Sequence, residues 1–535
     1  MSEDTSKTLE QALWNSANAL RGTMDASEYK NYLLGLIFYR FLSDMTLKTV
    51  MEATGEDGDP IEVYKKYWDE QREDIKSELY GANGYIIEPN DLFDSMVVRI
   101  QHHQFQISDL KQALFNVEQS VKGHSSEEDF EGLFSDIDLD SNKLGKNPSQ
   151  TMNDVITSLK DINFDNGRDV LGDAYEYLIS EFALSAGKKA GEFYTPRSVS
   201  EIIARIVSIG HKEGDTQIRS VYDPAMGSGS LLLTIADQVT GDQPISYHGQ
   251  ELNNTTFNLA RMNLMLHGVS YEDIYVRNGD TLDVDWPSDE PYQFDAVAMN
   301  PPYSAHWDNN AGRLSDPRFR DYGKLAPKTK ADYAFLLHGL YHLKPTGTMG
   351  IVLPHGVLFR GAAEGTIRKE LINKNQIDAV IGLPANIFYS TSIPTLIMIL
   401  KKNKTNDDIL FIDASNEFEK GKNQNKLTEE NIDKIVQTYA DRKNVDKYAH
   451  VATIDEIKEN EYNLNIPRYV DTFEPEPEID LGEVTKEIQE NNKKIMENKN
   501  ELLSMMKELT SSDEKTQNDL DDFISMLSDE VNNHG

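Results

Sequence analysis

Apolar residues recur at three- and four-residue spacing through much of residues 1–160. Tyr29, Leu33, Leu36, Ile37 and Phe41 fall on one face of a helix, and Asp25 and Glu28 ahead of them have the spacing of a capping box. Further helical stretches are predicted around Ile61–Leu79 and Asp109–Val121. Residues 123–150 are rich in Ser, Asp, Asn and Gly and read as a linker. This helical N-terminal domain presents no chemistry of its own.

From residue 161 the period changes. A helix from Val170 to Phe182 leads to Gly191-Glu-Phe-Tyr-Thr-Pro196, and β-rich runs then alternate with helical ones. The predicted strands are 220–222, 245–248, 274–276, 294–299, 349–353, 377–381 and 395–400. Seven strands alternating with helices predict a mostly parallel, Rossmann-like α/β sheet over residues 161–470, with ligands beyond the carboxyl ends of its strands. Residues 471–535 form the third segment. Phe473-Glu-Pro-Glu-Pro-Glu-Ile-Asp480 reads as a stiff acidic linker. Positions 484, 488, 491, 495, 498, 502, 505 and 509 then step by four and three and hold Val, Ile, Asn, Ile, Asn, Leu, Met and Leu. That is a coiled-coil-like seam with two Asn at one phase, the kind of polar position that fixes register and partner. Leu520, Phe523, Ile524 and Leu527 mark a second amphipathic run. A hairpin folding back on its own domain fits the pattern. A helical tail that binds a partner fits it better, because the linker projects it outward.

Composition narrows the chemistry. The 535 residues contain no cysteine, which removes disulfides, zinc–thiolate sites and cysteine nucleophiles and suits a reducing, cytoplasmic setting. No run of about 18 apolar residues predicts a membrane span, and the polar, acidic start Met1-Ser-Glu-Asp is unlike a signal peptide. Ninety acids against 53 bases give a net charge of −37, which repels phosphate at long range. A nucleic-acid ligand would therefore need a local basic surface or a basic partner.

Candidate ligand-binding residues sit at predicted strand ends. In Val221-Tyr-Asp-Pro-Ala-Met-Gly-Ser-Gly-Ser-Leu-Leu232 a strand ends at Asp223, turns through Gly227 and Gly229, and enters a helix at Ser230. The third glycine of a dinucleotide fingerprint is replaced by Leu232, and an acid ahead of the loop suits a cationic ligand, such as the amino group of S-adenosylmethionine, better than a pyrophosphate. Glu251 ends the second strand, where an acid accepts from ribose hydroxyls, and Asp280 ends the third, where it can meet an adenine amine. The fourth strand ends Asn300-Pro301-Pro302-Tyr303. Consecutive prolines hold this segment rigidly. The Asn300 amide and Pro301 carbonyl can then accept both hydrogens of a planar exocyclic amine, and Tyr303 offers a face for a base.

Together these motifs resemble the modification subunit of type I restriction-modification systems, an N6-adenine DNA methyltransferase. The resemblance spans nearly the whole chain. It includes Gly191-Glu-Phe-Tyr-Thr-Pro196, the glycine loop, Asn300–Tyr303, Leu353-Pro-His-Gly-Val-Leu-Phe-Arg360, Ile381-Gly-Leu-Pro384 and Asn465-Ile-Pro-Arg-Tyr-Val470. It implies S-adenosyl-L-methionine held by Tyr194, Thr195, Pro196, Asp223, Gly227, Gly229, Ser230, Glu251 and Asp280, with catalysis at Asn300, Pro301, Pro302 and Tyr303 and no metal. It further implies double-stranded DNA, a specificity subunit, a second copy of this chain in that complex, and a restriction and translocation subunit as partners. A self-sufficient adenine methyltransferase is the alternative. Enzymes that methylate a protein glutamine or a ribosomal RNA guanine share Asn-Pro-Pro-Tyr but are usually shorter. No Gly-x-x-x-x-Gly-Lys-[Ser/Thr] loop is present, and no proline precedes an Asp, so DNA cutting and translocation are expected elsewhere.

Residues 304–330 offer the local basic surface. Arg313, Arg318, Arg320, Lys324, Lys328 and Lys330 outnumber Asp308, Asp316 and Asp321, with Trp307, Phe319 and Tyr322 interleaved. Arg313, Arg318, Arg320 and Lys324 are the candidate DNA contacts, although an ordinary solvated loop has similar composition.

Overall fold

A computed structural model describes residues 13–14, 16, 18–21, 24–160, 168–185, 194–211, 217–239, 244–283, 293–388, 391–422, 424–472 and 480–533. The chain divides into two compact units, Met1–Thr472 and Phe473–Gly535.

In the first unit a 29-residue helix, Ala26–Thr54, ends at Gly55 in the left-handed conformation. Leu33, Leu34, Leu36, Ile37, Phe38 and Tyr39 along it are all fully buried, so helices pack around it on several sides. Asp25 precedes the helix in extended conformation, but its side chain makes no capping bond, and Glu28 pairs with Lys143 instead. The expected capping box is therefore replaced by an ion pair to a distant segment.

That segment, 123–150, is not a linker. Phe130, Leu133, Phe134 and Leu144 are buried, and a short helix, Glu127–Phe130, sits within it. Arg261, buried on the helix Asn254–Leu266, donates to the carbonyls of Glu128 (3.1 Å), Asp129 (3.0 Å) and Glu131 (3.0 Å). Asn258 on the same helix reaches Gly132 O and Asp136. The side chains that satisfy these backbone groups lie more than 120 residues downstream, beyond what local composition can reveal. One apolar core joins the N-terminal helices to the helices Arg168–Ser185 and Asn254–Leu266.

Among the described residues the sheet has nine strands rather than seven. Those predicted appear as β1 (Ser220–Asp223), β2 (Ser246–Glu251), β3 (Ile274–Asn278), β4 (Phe294–Met299), β5 (Leu343–Pro354), β6 (Ile377–Gly382) and β7 (Thr395–Lys401). Two are added, β8 (Ile409–Asp413) and a last strand, Ala449–Ala452. The order is Ala449–Ala452, β8, β6, β7, β5, β4, β1, β2, β3. Pairing is parallel except around β7 and at the last strand. One face packs against the helices Arg197–Val207 and Glu429–Asp441, the other against Asp332–Tyr341 and Ala362–Asn373. Strand order reverses at β1, which pairs with β2 on one side and β4 on the other. A crevice opens there at the carboxyl ends.

In the second unit the helix Leu481–Met506 is capped by Asp480, which accepts from Gly482 N (2.7 Å). It packs against the helix Glu514–Asn533 as a hairpin in which Leu503 and Leu527 are buried. Ile488, Ile495, Leu502 and Leu509 of the expected seam are about half exposed. The acidic linker over 473–479 lies outside the described residues.

Candidate active site

The segment from β1 to the helix Ser230–Ala236 is stitched onto the end of β2. Met226 N donates to Gln250 O (3.0 Å) and Gly227 N to Glu251 Oε2 (3.2 Å). Gly227 and Gly229 have φ of 55° and 79°, a region that side chains disfavour. On β2 a Cβ at Gly249 would overlap the Met226 thioether. The loop thus curls back over the strand ends and walls a cavity of about 420 Å³.

Two acids line it. Asp223 is buried and accepts from Ala225 N (2.9 Å). Burial pushes its pKa well above the carboxylate range, and the nearby Glu251 pushes the same way. Glu251 accepts from Asn253 N (2.7 Å) as well as Gly227 N; burial raises its pKa, while these N–H groups pull it down. Sequence reasoning missed Leu252, which lines the cavity with 69 % of its surface exposed and so offers a flat apolar face beside Glu251. Asn253 and Thr256, also missed, line it too. Their one sequence signal is adjacency to the strand-end acid.

Thr195, Asn300 and Pro302 line the same cavity as Asp223, Gly227, Ser230 and Glu251. Asn300 Nδ2 donates to Thr195 Oγ1 (3.1 Å), and the Tyr303 hydroxyl donates to Asn300 Oδ1 (2.8 Å). These two bonds fix the amide plane. Burial, and then the charge of Asp332, raise the Tyr303 pKa, so its hydroxyl stays a donor. Its ring meets Phe388 edge-to-face at 6.3 Å. Ser304 N donates to the buried Asp332 (2.9 Å) and secures the chain just beyond.

Other candidates stand apart. Tyr194 is buried in the helical core, Pro196 sets the start of the helix Arg197–Val207, and Gly229 and Pro301 are not among the lining residues. Residues 191–193 lie outside the described residues. Asp280 does not line the cavity; it is exposed and accepts from Leu282 N (3.0 Å), while its neighbour Gly279 donates to Glu251 O (3.1 Å). The third acid is thus a turn residue beside the site. Among the described residues no cluster of His, Asp or Glu could hold a metal ion, and no helix is long and apolar enough to cross a membrane.

The N-6 DNA Methylase family model matches residues 166–478, and the HsdM N-terminal domain model matches residues 9–159. The chain belongs to the N-6 DNA methylases. It is similar to the type I restriction enzyme MpnII methylase subunit of Mycoplasma pneumoniae, with 38% identity over 90% of this chain and 92% of that protein. The MjaVII methylase subunit of Methanocaldococcus jannaschii is 32% identical over 89% of this chain and 80% of its own length. The crystal structure of the type I restriction-modification methyltransferase subunit from Streptococcus thermophilus superposes with a TM-score of 0.83 at 52% identity, covering 88% of this chain and all of that one. The protein is accordingly an adenine-specific DNA methyltransferase, of the kind that forms the modification subunit of type I restriction systems.

The basic segment of the methylase departs from expectation. Arg318 is not a surface cation: its side chain is 1% exposed and is held by Asp316 (2.7 Å), Thr281 O (3.1 Å) and His338 (3.1 Å). Arg313 is mostly buried, donating to Leu282 O (2.6 Å) and pairing with Asp283. Trp307, Phe319 and Tyr322 are buried as well. The aromatics join the core that covers one face of the sheet, and Arg313 and Arg318 are held by neighbouring carbonyls and carboxylates. Arg320 and Lys324 remain exposed.

Proposed function

We propose that the cavity binds S-adenosyl-L-methionine and that the methylase transfers its methyl group directly to N6 of an adenine turned out of double-stranded DNA. The observation that carries this reading is that Asn300 and Thr195 line the same cavity as Asp223 and Glu251. A cofactor and a base amine can therefore meet there. When bound, the cofactor supplies an electrophilic methyl group. Asp223 offers a buried negative charge to a cationic amino acid moiety, Glu251 offers acceptors to a diol, and Leu252 a surface to a flat ring. Asn300 Oδ1 has two lone pairs. One receives the Tyr303 hydroxyl, and the other is left for an amine hydrogen, which turns the amine nitrogen toward the cavity. Thr195 keeps the amide from flipping. Catalysis on this reading is positioning and hydrogen bonding, and base extrusion brings the target within reach.

The methylase acts within a complex on this reading. The exposed seam of the C-terminal hairpin serves a specificity subunit, through which a second copy of this chain and a restriction subunit join in the cytoplasm. Residues 1–160, 161–470 and 471–535 are then the helical, catalytic and partner-binding parts. Two facts support it: four apolar seam residues lie open, and residues 471–535 carry eighteen acids against six lysines, which suits a basic partner. The test is single-molecule sequencing of DNA from cells expressing the chain with and without its neighbouring genes. N6-methyladenine at one sequence, only in the co-expressing cells, is expected. Site-specific marks from the chain alone would favour a self-sufficient enzyme.

A further inference from the structure

Arg318 carries a full charge into the protein at 1% exposure, and its fork is spent on specific acceptors. Nε and Nη2 hold Asp316, while Nη1 donates to Thr281 O (3.1 Å) and to His338 Nδ1 (3.1 Å). Burial keeps the His338 pKa well below the imidazole range, so the ring is neutral. With Nδ1 accepting, Nε2 carries the proton and donates to the Tyr222 hydroxyl (2.7 Å), which in turn donates to Gln250 Oε1 (2.7 Å). All three bonds in this chain from Arg318 run in one direction. It ends on residues immediately before the cavity acids: Tyr222 precedes Asp223 on β1, and Gln250 precedes Glu251 on β2.

A second arginine reinforces the connection. Arg313 grips Leu282 O and Asp283, and Thr281 Oγ1 donates to Pro224 O (2.5 Å) in the glycine loop. The stretch that follows Tyr303 is thus tied at its start to Asp332 and in its middle to the ends of β1, β2 and β3. A lysine has the charge but not the planar fork these acceptors require.

We propose that Arg318, acting through His338, Tyr222 and Gln250, is a positioning residue: a latch that makes the order of residues 304–330 depend on occupancy of the cavity beside Asp223 and Glu251. A ligand held by those two acids fixes the strand ends from which the latch hangs. The segment following the catalytic tetrapeptide then loses less freedom when it settles. This rests on the cofactor reading of the cavity, and the experiment separates the two. Hydrogen exchange would be followed by mass spectrometry on the full chain with and without S-adenosylhomocysteine, for the wild type, Arg318→Lys and Tyr222→Phe. Tyr222→Phe removes one hydroxyl and keeps the packing, so it serves even if Arg318→Lys fails to fold. In the wild type the ligand should slow exchange both at 223–231 and, by about fivefold or more, at 304–330. In the variants it should still protect 223–231 while protection of 304–330 is lost. A merely structural Arg318 would change exchange equally with and without ligand. No calorimetric binding to the wild type would defeat the cofactor reading. Binding without protection of 304–330, or equal ligand-induced protection in Tyr222→Phe, would overturn the latch.

Discussion

Asp223 is a buried carboxyl beside another acid, and the cost of ionising it falls on the ligand-free protein. Because its folded pKa is raised, the folded state holds its proton more tightly than the unfolded one. Stability from this group is therefore lost as pH rises above the ordinary carboxylate range. Asp223→Asn should raise the thermal midpoint of the ligand-free chain at pH 7 and weaken S-adenosylhomocysteine binding about tenfold or more, the effect of losing one charge-assisted contact. A cationic ligand should also expel protons on binding, visible as a buffer-dependent heat in calorimetry; a heat independent of buffer would contradict this. Asn300→Ala should leave that binding intact and lower methylation about 10²-fold, the scale of one well-placed polar contact. Near-normal turnover would remove Asn300 from the chemistry. Both residues are legible in the sequence, because strand, turn and strand end are local features. Leu252 is not, since an apolar residue's exposure is a fact of three dimensions. Arg318 misleads for the same reason: a charge count along the chain cannot see Thr281 O and His338 waiting for it.

Among the elements, β4 to β7 could be read because each holds an apolar run, and the shorter, more polar β1, β2 and β3 because they alternate with helical stretches and end at turn signals. The five-residue β8 and the four-residue Ala449–Ala452 escaped in a stretch of mixed composition. The 123–150 segment escaped because its buried Phe130, Leu133, Phe134 and Ile137, although at helical spacing, are few among many Ser, Asp, Asn and Gly. Its docking leads to a prediction at this scale. Arg261→Met keeps the length of the side chain but strands three backbone carbonyls, at about 1–3 kcal/mol for each left unsatisfied. Urea unfolding should shift to lower concentration, and limited proteolysis should cut within 123–150 first. Cleavage elsewhere with this segment intact would mean the contacts are incidental. In the cavity wall, Gly227→Val forces a branched side chain into a left-handed backbone that glycine tolerates. Loss of cofactor binding with a native circular dichroism spectrum is expected, and normal binding would show that the loop does not cradle the ligand.

At the scale of the whole molecule, the C-terminal hairpin leaves Ile488, Ile495, Leu502 and Leu509 in water, each worth about 1.5–3 kcal/mol on full burial. Truncation after Asp480 should leave the first unit folded and abolish capture by a co-expressed specificity subunit; undiminished capture would move the interface elsewhere. The opposite end of the chain behaves differently. Family matches stop at 159 and resume at 166, which suggests two pieces that can be handled separately. Leu259, Met262 and Leu266, however, belong to the same core as Leu33 and Phe134. A chain started at residue 161 would expose that apolar surface and leave Arg261 without its carbonyls. It should therefore be recovered mainly as aggregate, whereas one ending at 480 should be soluble. Anyone dividing this methylase for expression or for fusion to another protein has a usable seam near 473 and none near 160.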